Sequence, residues 1–217
     1  MPRPLRYIAI EGPIGVGKTS LARRLAETLQ FELVLEQAEE NPFLERFYRD
    51  PAAHALPTQL HFLFQRARQA QEMRQADLFA GGRVADFLLE KDRIFARLTL
   101  PDEEYRLYDQ VYQGLALDAP TPDLVVYLQA PVEVLIERVQ RRGIPYEQVV
   151  RPDYLRRLSE AYMNYFHRYD AGPLLIVNAA TIDPVRREED YLDLLRRIQA
   201  AEAGRQYYNP APFQPAD

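Results

Sequence analysis

Cysteine is absent from the 217 residues. That excludes disulfides, zinc–thiolate centres and thiol catalysis. Histidine is scarce: the three, at positions 54, 61 and 167, stand at no metal-ligand spacing. No apolar run approaches the roughly 20 residues of a membrane span. Met1 to Arg6 lead straight into the first apolar segment without a signal-peptide core, so a soluble cytoplasmic protein is expected. The net charge of −5 offers no general polyanion-binding surface, and a nucleic-acid partner is not expected. Lysine is nearly missing. Of 27 basic residues only Lys18 and Lys91 are lysines, the rest being arginine. A chain with this bias keeps Lys where a compact ammonium is needed and a planar guanidinium does not fit.

What is present begins with Gly12-Pro13-Ile14-Gly15-Val16-Gly17-Lys18-Thr19. Its glycines, Lys and Thr stand at phosphate-loop spacing, after the apolar run Tyr7–Ile10 and before a helical pattern from Thr19 to Gln30. Glycines let successive backbone N–H groups curl inward around phosphate oxygens, and the helix behind adds the positive end of its dipole. Lys18 then reaches the terminal phosphates, and the Thr19 hydroxyl suits Mg²⁺. Gly12, Gly15, Val16, Gly17, Lys18, Thr19 and Ser20 thus form the expected cradle of a nucleoside triphosphate, with ATP and Mg²⁺ as the expected ligands.

Five short apolar segments read as strands: Tyr7–Ile10, Glu32–Leu35, Arg83–Asp86, Leu124–Leu128 and Leu174–Val177. They lack polar alternation, which suits a parallel sheet buried on both faces. Helical patterns fill most gaps, over Thr19–Gln30, Pro57–Leu78, Asp102–Ala116, Val132–Arg142, Pro152–Tyr169 and Pro184–Ala200, with Pro42–Arg49 as a further short helix. The alternation predicts a doubly wound, five-stranded α/β phosphate-loop fold, one domain over residues 1–205. A proline-rich tail, 206–217, is expected to wrap the surface or lack order. Ligands in such sheets bind beyond the carboxyl ends of the strands. Glu36 and Asp86 both fall there. A carboxylate at Glu36 can face the γ-phosphate and take a proton from an attacking hydroxyl.

The chain resembles the deoxynucleoside kinases, particularly bacterial deoxyadenosine/deoxyguanosine kinases. The likeness is carried by Glu11–Leu25, by Glu36 with Glu40-Asn41-Pro42-Phe43-Leu44, by Phe47-Tyr48-Arg49-Asp50-Pro51 with Thr58-Gln59-Leu60-His61-Phe62 and Arg66, and by Glu137-Arg138 through Arg142-Gly143 to Tyr146-Glu147. The resemblance implies ATP-dependent phosphorylation of a deoxynucleoside 5′-hydroxyl, purines favoured, by a homodimer. It implies Glu36 as the base for that hydroxyl and Tyr48 with Glu147 on the 3′-hydroxyl. Gln59 would read the base edge with Arg66 nearby. Arg138 and Arg142 would close over the phosphates as a lid, and Asp183 would lie near the donor adenine. Asp86 stands where the family has an acidic residue near Mg²⁺. From the residues alone, Tyr48 equally suits core packing, Gln59 an exposed helix position, and the arginines of 138–142 a solvated face. Arg138 and Arg142 share one helix face, whereas Arg141 points elsewhere.

The chain departs from the family twice. Many members carry an arginine directly after the acidic residue, where this chain has Phe87; Lys91 is the candidate to supply that charge. Some have an arginine where this chain has Ile144. Two other readings stand beside the kinase: a nucleoside monophosphate kinase of the thymidylate kinase type, and a non-catalytic nucleotide-binding partner subunit.

Overall fold

The computed structural model describes residues 5–76, 81–88, 90–115 and 120–210. Six strands form one parallel sheet: β1 (Tyr7–Glu11), β2 (Glu32–Val34), β3 (Arg83–Ala85), β4 (Leu124–Gln129), β5 (Leu174–Asn178) and β6 (Arg205–Tyr208). Their spatial order is β2-β3-β1-β4-β5-β6. The helices are α1 (Lys18–Leu29), α2 (Leu44–Arg49), α3 (Pro51–Ala76), α4 (Lys91–Thr99), α5 (Asp102–Gly114), α6 (Val132–Arg142), α7 (Pro152–His167) and α8 (Glu188–Gln199).

Why these segments form strands is visible in their two faces. Ile8 and Ile10 of β1 pack with Val126 and Leu128 of β4, Val177 of β5, Leu21 and Leu25 of α1, and Leu194 and Ile198 of α8. The alternate residues Tyr7, Ala9, Val125, Tyr127 and Ile176 meet Ala70 and Met73 of α3 and Leu158, Tyr162 and Phe166 of α7. Apolar side chains on both faces are what a sheet covered by helices on each side requires. A third cluster joins α2, α3 and α5 through Phe47, Leu63 and Tyr108 beyond the sheet.

The sequence reading needs correction at its ends. Among the described residues there are six strands, not five. Arg205–Tyr208, which crosses the expected start of the tail at 206, pairs parallel with Leu174–Val177 of β5. An edge strand needs only one neighbour, so its weak apolar pattern and the nearby prolines gave little signal. Residues 211–217 of that tail lie outside the described residues, as do the last residues of two expected helices, at 77–78 and 116. Helix α3 begins at Pro51, six residues before the expected start, and carries Pro57 inside it. Pro57 has no N–H to give the carbonyl four residues back. One residue on, the Thr58 hydroxyl donates to the His54 carbonyl at 2.7 Å. Helix α6 keeps its expected bounds, with Pro131 before it and left-handed Gly143 (φ 70°) closing it.

Leu25 of α1 is fully buried against the sheet. Leu25→Ala is expected to lower stability by about 2–5 kcal/mol, read by denaturant titration. A loss below about 1 kcal/mol would contradict this packing.

Candidate active site

The strand order reverses around β1, and the site forms at its carboxyl end. Gly12 follows β1 directly with φ 148°, and a Cβ there would lie 2.5 Å from the Leu128 carbonyl oxygen of β4. Gly15 has φ 85°, and its Cβ would lie 2.7 Å from the Leu135 carbonyl oxygen of α6. Both positions therefore need glycine for conformation and for space. The loop wraps onto Gly17, the left-handed N-cap of α1. Lys18 Nζ donates to the Gly12 carbonyl at 2.8 Å and the Pro13 carbonyl at 3.3 Å, folded back over its own loop. Burial, then the nearby charge of Lys91, pull the Lys18 ammonium below its usual range.

Two cavities meet at this loop. The larger, about 620 Å³, opens between the loop, the segment after β2, and helices α2, α3 and α4. The smaller, about 270 Å³, lies between the loop, α6 and residues 182–186. Gly15, Lys18, Thr19, Ser20 and Arg142 line both. A group moving from one cavity to the other must pass those residues.

Glu36 lines the larger cavity and is clasped in place. Its own N–H donates to Asp86 Oδ1 at 2.7 Å. The flanking Leu35 carbonyl accepts from Gln69 Nε2 at 2.9 Å, and the Gln37 carbonyl from Gln65 Nε2 at 3.1 Å. The carboxylate sits between two cations: Arg66 Nη2 donates to Oε1, and Lys91 Nζ donates to Oε2 at 2.8 Å. The Arg66 and Lys91 side chains are 3% exposed, against 21% for Glu36, so the solvent-facing member of the cluster is the carboxylate. Burial works to raise the Glu36 carboxyl, but Lys91, Arg66 and Lys18 outweigh it and hold it down to about 2. Arg66 in turn donates through Nη1 to the buried Asp92. Burial pushes the Asp92 carboxyl up to about 6 against the pull of Arg66 and Lys91.

The remaining expected residues separate into two groups. Tyr48, Gln59, Arg66, Asp86 and Glu147 line the larger cavity. Gln59 is 2% exposed, which removes the surface-helix reading, and Tyr48 stacks on Tyr146 with ring centroids 6.1 Å apart. Glu147 accepts from Arg142 Nε at 3.0 Å and also from Nη2. Phe47 and Phe62 reach the cavity wall, whereas Phe64 is half exposed. Asp183 lines the smaller cavity. Arg138 does too, and its guanidinium donates to the carbonyls of Val16 at 3.2 Å and Ala179 at 2.8 Å, bracing the loop against the segment after β5. Arg138 and Arg142, four apart on α6, both line the smaller cavity but donate to different partners, backbone carbonyls and Glu147. Arg141, expected to face elsewhere, lines the smaller cavity as well. Lys91 does not line the larger cavity and reaches it only through Glu36.

Sequence reasoning passed over Glu11, Gln65, Gln69, Asp92 and Phe95. Phe95 and Asp92 also line the cavity, three residues apart on α4. The Thr19 hydroxyl donates to Asp86 Oδ2 at 2.5 Å, which brings a hydroxyl and a carboxylate oxygen together at the junction of the cavities. Hard oxygen donors at the mouth of a phosphate loop fit Mg²⁺, which keeps its other positions for water and phosphate.

Comparison with known proteins agrees with this geometry. Residues 8–201 match the deoxynucleoside kinase family. A deoxyguanosine kinase of Bacillus subtilis is 35% identical over 157 residues, 72% of this chain and 76% of its own length. A deoxyadenosine/deoxycytidine kinase of the same organism is 28% identical over 199 residues, 88% of this chain and 90% of its own. The fold is shared with the structure of deoxyadenosine kinase from M. mycoides with bound dATP, at a TM-score of 0.78 and 24% identity over 90% of this chain and 100% of that one. With a phosphate loop, a clasped acidic residue beyond β2 and a match running through nearly every element of the sheet, this chain belongs to the deoxynucleoside kinase family.

Proposed function

We propose that the chain transfers the γ-phosphoryl group of ATP to the 5′-hydroxyl of a purine deoxynucleoside, with the nucleoside in the larger cavity and the triphosphate entering from the smaller one. The observation that carries this is the shared wall: Lys18, Thr19 and Arg142 belong to both cavities, and Glu36 faces the same junction from the larger one. The relative named for deoxyguanosine supports the purine preference, while the one named for deoxyadenosine and deoxycytidine takes a purine and a pyrimidine.

The chemistry asked of the protein is positioning and neutralisation of charge. Glu36, ionised between Lys91 and Arg66, accepts the proton of the 5′-hydroxyl as that oxygen attacks phosphorus. Lys18 and Arg142 face the charge that builds on the phosphoryl oxygens. Thr19 and Asp86 would hold Mg²⁺, which would offset phosphate charge in the same place. Gln59, buried in the wall, offers a donor and an acceptor to the base edge, and Phe47, Phe62 and Phe95 supply apolar surface for its faces. Tyr48 and Glu147 hold the 3′-hydroxyl. Arg138 orders the loop through its carbonyl contacts, and Asp183 sits on the donor side. A second copy of the chain completes a homodimer through the long helices.

Glu36→Gln is expected to lose roughly 10²–10⁴ in kcat while keeping its affinity for ATP. Turnover within about tenfold of the parent would remove Glu36 from the role of base.

The pH dependence has a definite sign. A carboxyl held down to about 2 is charged throughout the neutral range and becomes protonated only as pH falls towards that value. The kcat/KM profile for the nucleoside is therefore expected to show no step from Glu36 between about pH 5 and 8. An acid limb in that window that vanishes in Glu36→Gln would contradict it.

A panel of four deoxynucleosides with ATP and Mg²⁺ is expected to give the highest kcat/KM with deoxyadenosine or deoxyguanosine. Preference for a pyrimidine nucleoside would overturn the base assignment.

A further inference from the structure

Glu11 is the last residue of β1, and its side chain is fully buried. A carboxylate removed from water is costly unless its oxygens are matched. Here both are. Oε2 accepts the Gly12 N–H at 2.9 Å, the first N–H of the phosphate loop. Oε1 accepts the Leu88 N–H at 2.7 Å, beyond the end of β3. The same Oε1 lies 3.7 Å from Lys91 Nζ. Lys91 opens α4 and is itself 3% exposed. Its ammonium is 2.8 Å from Glu36 Oε2 and outside the walls of both cavities. So one unbroken line of contacts runs from the loop N–H through Glu11 and Lys91 to the carboxylate that faces the nucleoside.

We infer that Glu11 and Lys91 are a buried positioning pair that couples the seating of the phosphate loop to the aim of Glu36. Neither residue touches the space a substrate would fill. Arg66 fixes one oxygen of Glu36 from α3 and is held by Asp92. Lys91 fixes the other and is held by Glu11. The first arm ends in the acceptor wall, whereas the second ends in the loop. A displacement of Gly12 therefore reaches the Glu36 carboxylate through the Lys91 arm, whereas Thr19 and Asp86 tie the start of α1 to the Glu36 backbone N–H. Lysine at position 91 sets a compact point charge between the two carboxylates, in a chain that otherwise uses arginine almost throughout.

The inference rests on Glu36 acting as the base, and the test separates the two. Lys91→Met, Lys91→Arg, Glu11→Gln, the Glu11→Gln/Lys91→Met double variant and Glu36→Gln are compared for kcat, nucleoside KM and ATP affinity. Glutamine at position 11 can still accept one N–H but carries no charge towards Lys91. Lys91→Met is expected to lower kcat by roughly 10²-fold with ATP affinity within about threefold, and Lys91→Arg to recover at least about tenfold of that loss. Glu11→Gln is expected to lower kcat about tenfold alone and to add nothing further in the Lys91→Met background, because both act along one line. A purely structural role would lower kcat and ATP affinity together and show no rescue by arginine. Losses that multiply in the double variant overturn the coupling, as does an unchanged kcat in Lys91→Met or Glu11→Gln while Glu36→Gln is inactive. If Lys91→Met does not fold, the split between kcat and ATP affinity in Glu11→Gln and Lys91→Arg decides the matter by the same criteria. If Glu36→Gln itself keeps turnover, the assignment of the base falls first.

Discussion

The arrangement depends on one carboxylate kept ionised at the edge of a buried charge cluster. Removing a cation or an anion from water costs several kcal/mol per ion, and that cost is met only if the partners are close and well oriented. Glu36 meets the condition with Arg66 on one oxygen and Lys91 on the other, and each cation has a second buried acid behind it, Asp92 and Glu11. The cluster spans β1, the segment after β2, α3 and α4, so the carboxylate that faces the larger cavity is held among four separate parts of the chain. The cations outweigh burial and hold that carboxyl down to about 2, so it needs no further tuning to be charged at neutral pH. What it needs is aim, and the surrounding hydrogen bonds supply that.

The fold places the aim where it is useful. With β1 between β3 and β4, the phosphate loop emerges at the centre of the sheet and the residues after β2 and β3 arrive beside it. Asp86 uses one oxygen to hold the Glu36 backbone and the other to accept from Thr19. One short carboxylate thus links the segment after β2 to the start of α1. Arg142, at the far end of α6, is drawn by Glu147 to the boundary between the two cavities. Arg138, one turn earlier, lines the smaller cavity and donates to backbone carbonyls of the loop and of the segment after β5.

Much of this was legible in the sequence because it is local. The phosphate loop announces itself through glycines that only left-handed backbone and close packing require. The interior strands announce themselves through uninterrupted apolar runs, and α6 through the Pro131 and Gly143 that bound it. The edge strand β6 was missed because pairing on one side demands little of its composition. The positions of Glu11, Gln65, Gln69 and Asp92 were missed for a different reason. Their significance comes from contacts across about 25 to 77 residues of chain, which no local pattern encodes. Some signal was there. Gln65 and Gln69 stand four apart on α3 with Arg66 between them, a polar stripe on a helix that is buried on that side. The scarcity of lysine pointed to Lys91, though to a contact with substrate space rather than to a place behind Glu36. The spacing of Arg138 and Arg142 identified a shared face but could not reveal which of the two would be claimed by carbonyl groups.

The most direct test is a crystal structure of the protein with a non-hydrolysable ATP analogue, Mg²⁺ and deoxyadenosine or deoxyguanosine. The account predicts a Glu36 carboxylate oxygen within roughly 2.6–3.2 Å of the nucleoside 5′-oxygen, with Lys91 and Arg66 still holding the carboxylate from behind. A nucleoside whose 5′-oxygen lies beyond reach of Glu36, with the phosphate loop occupied, would contradict it.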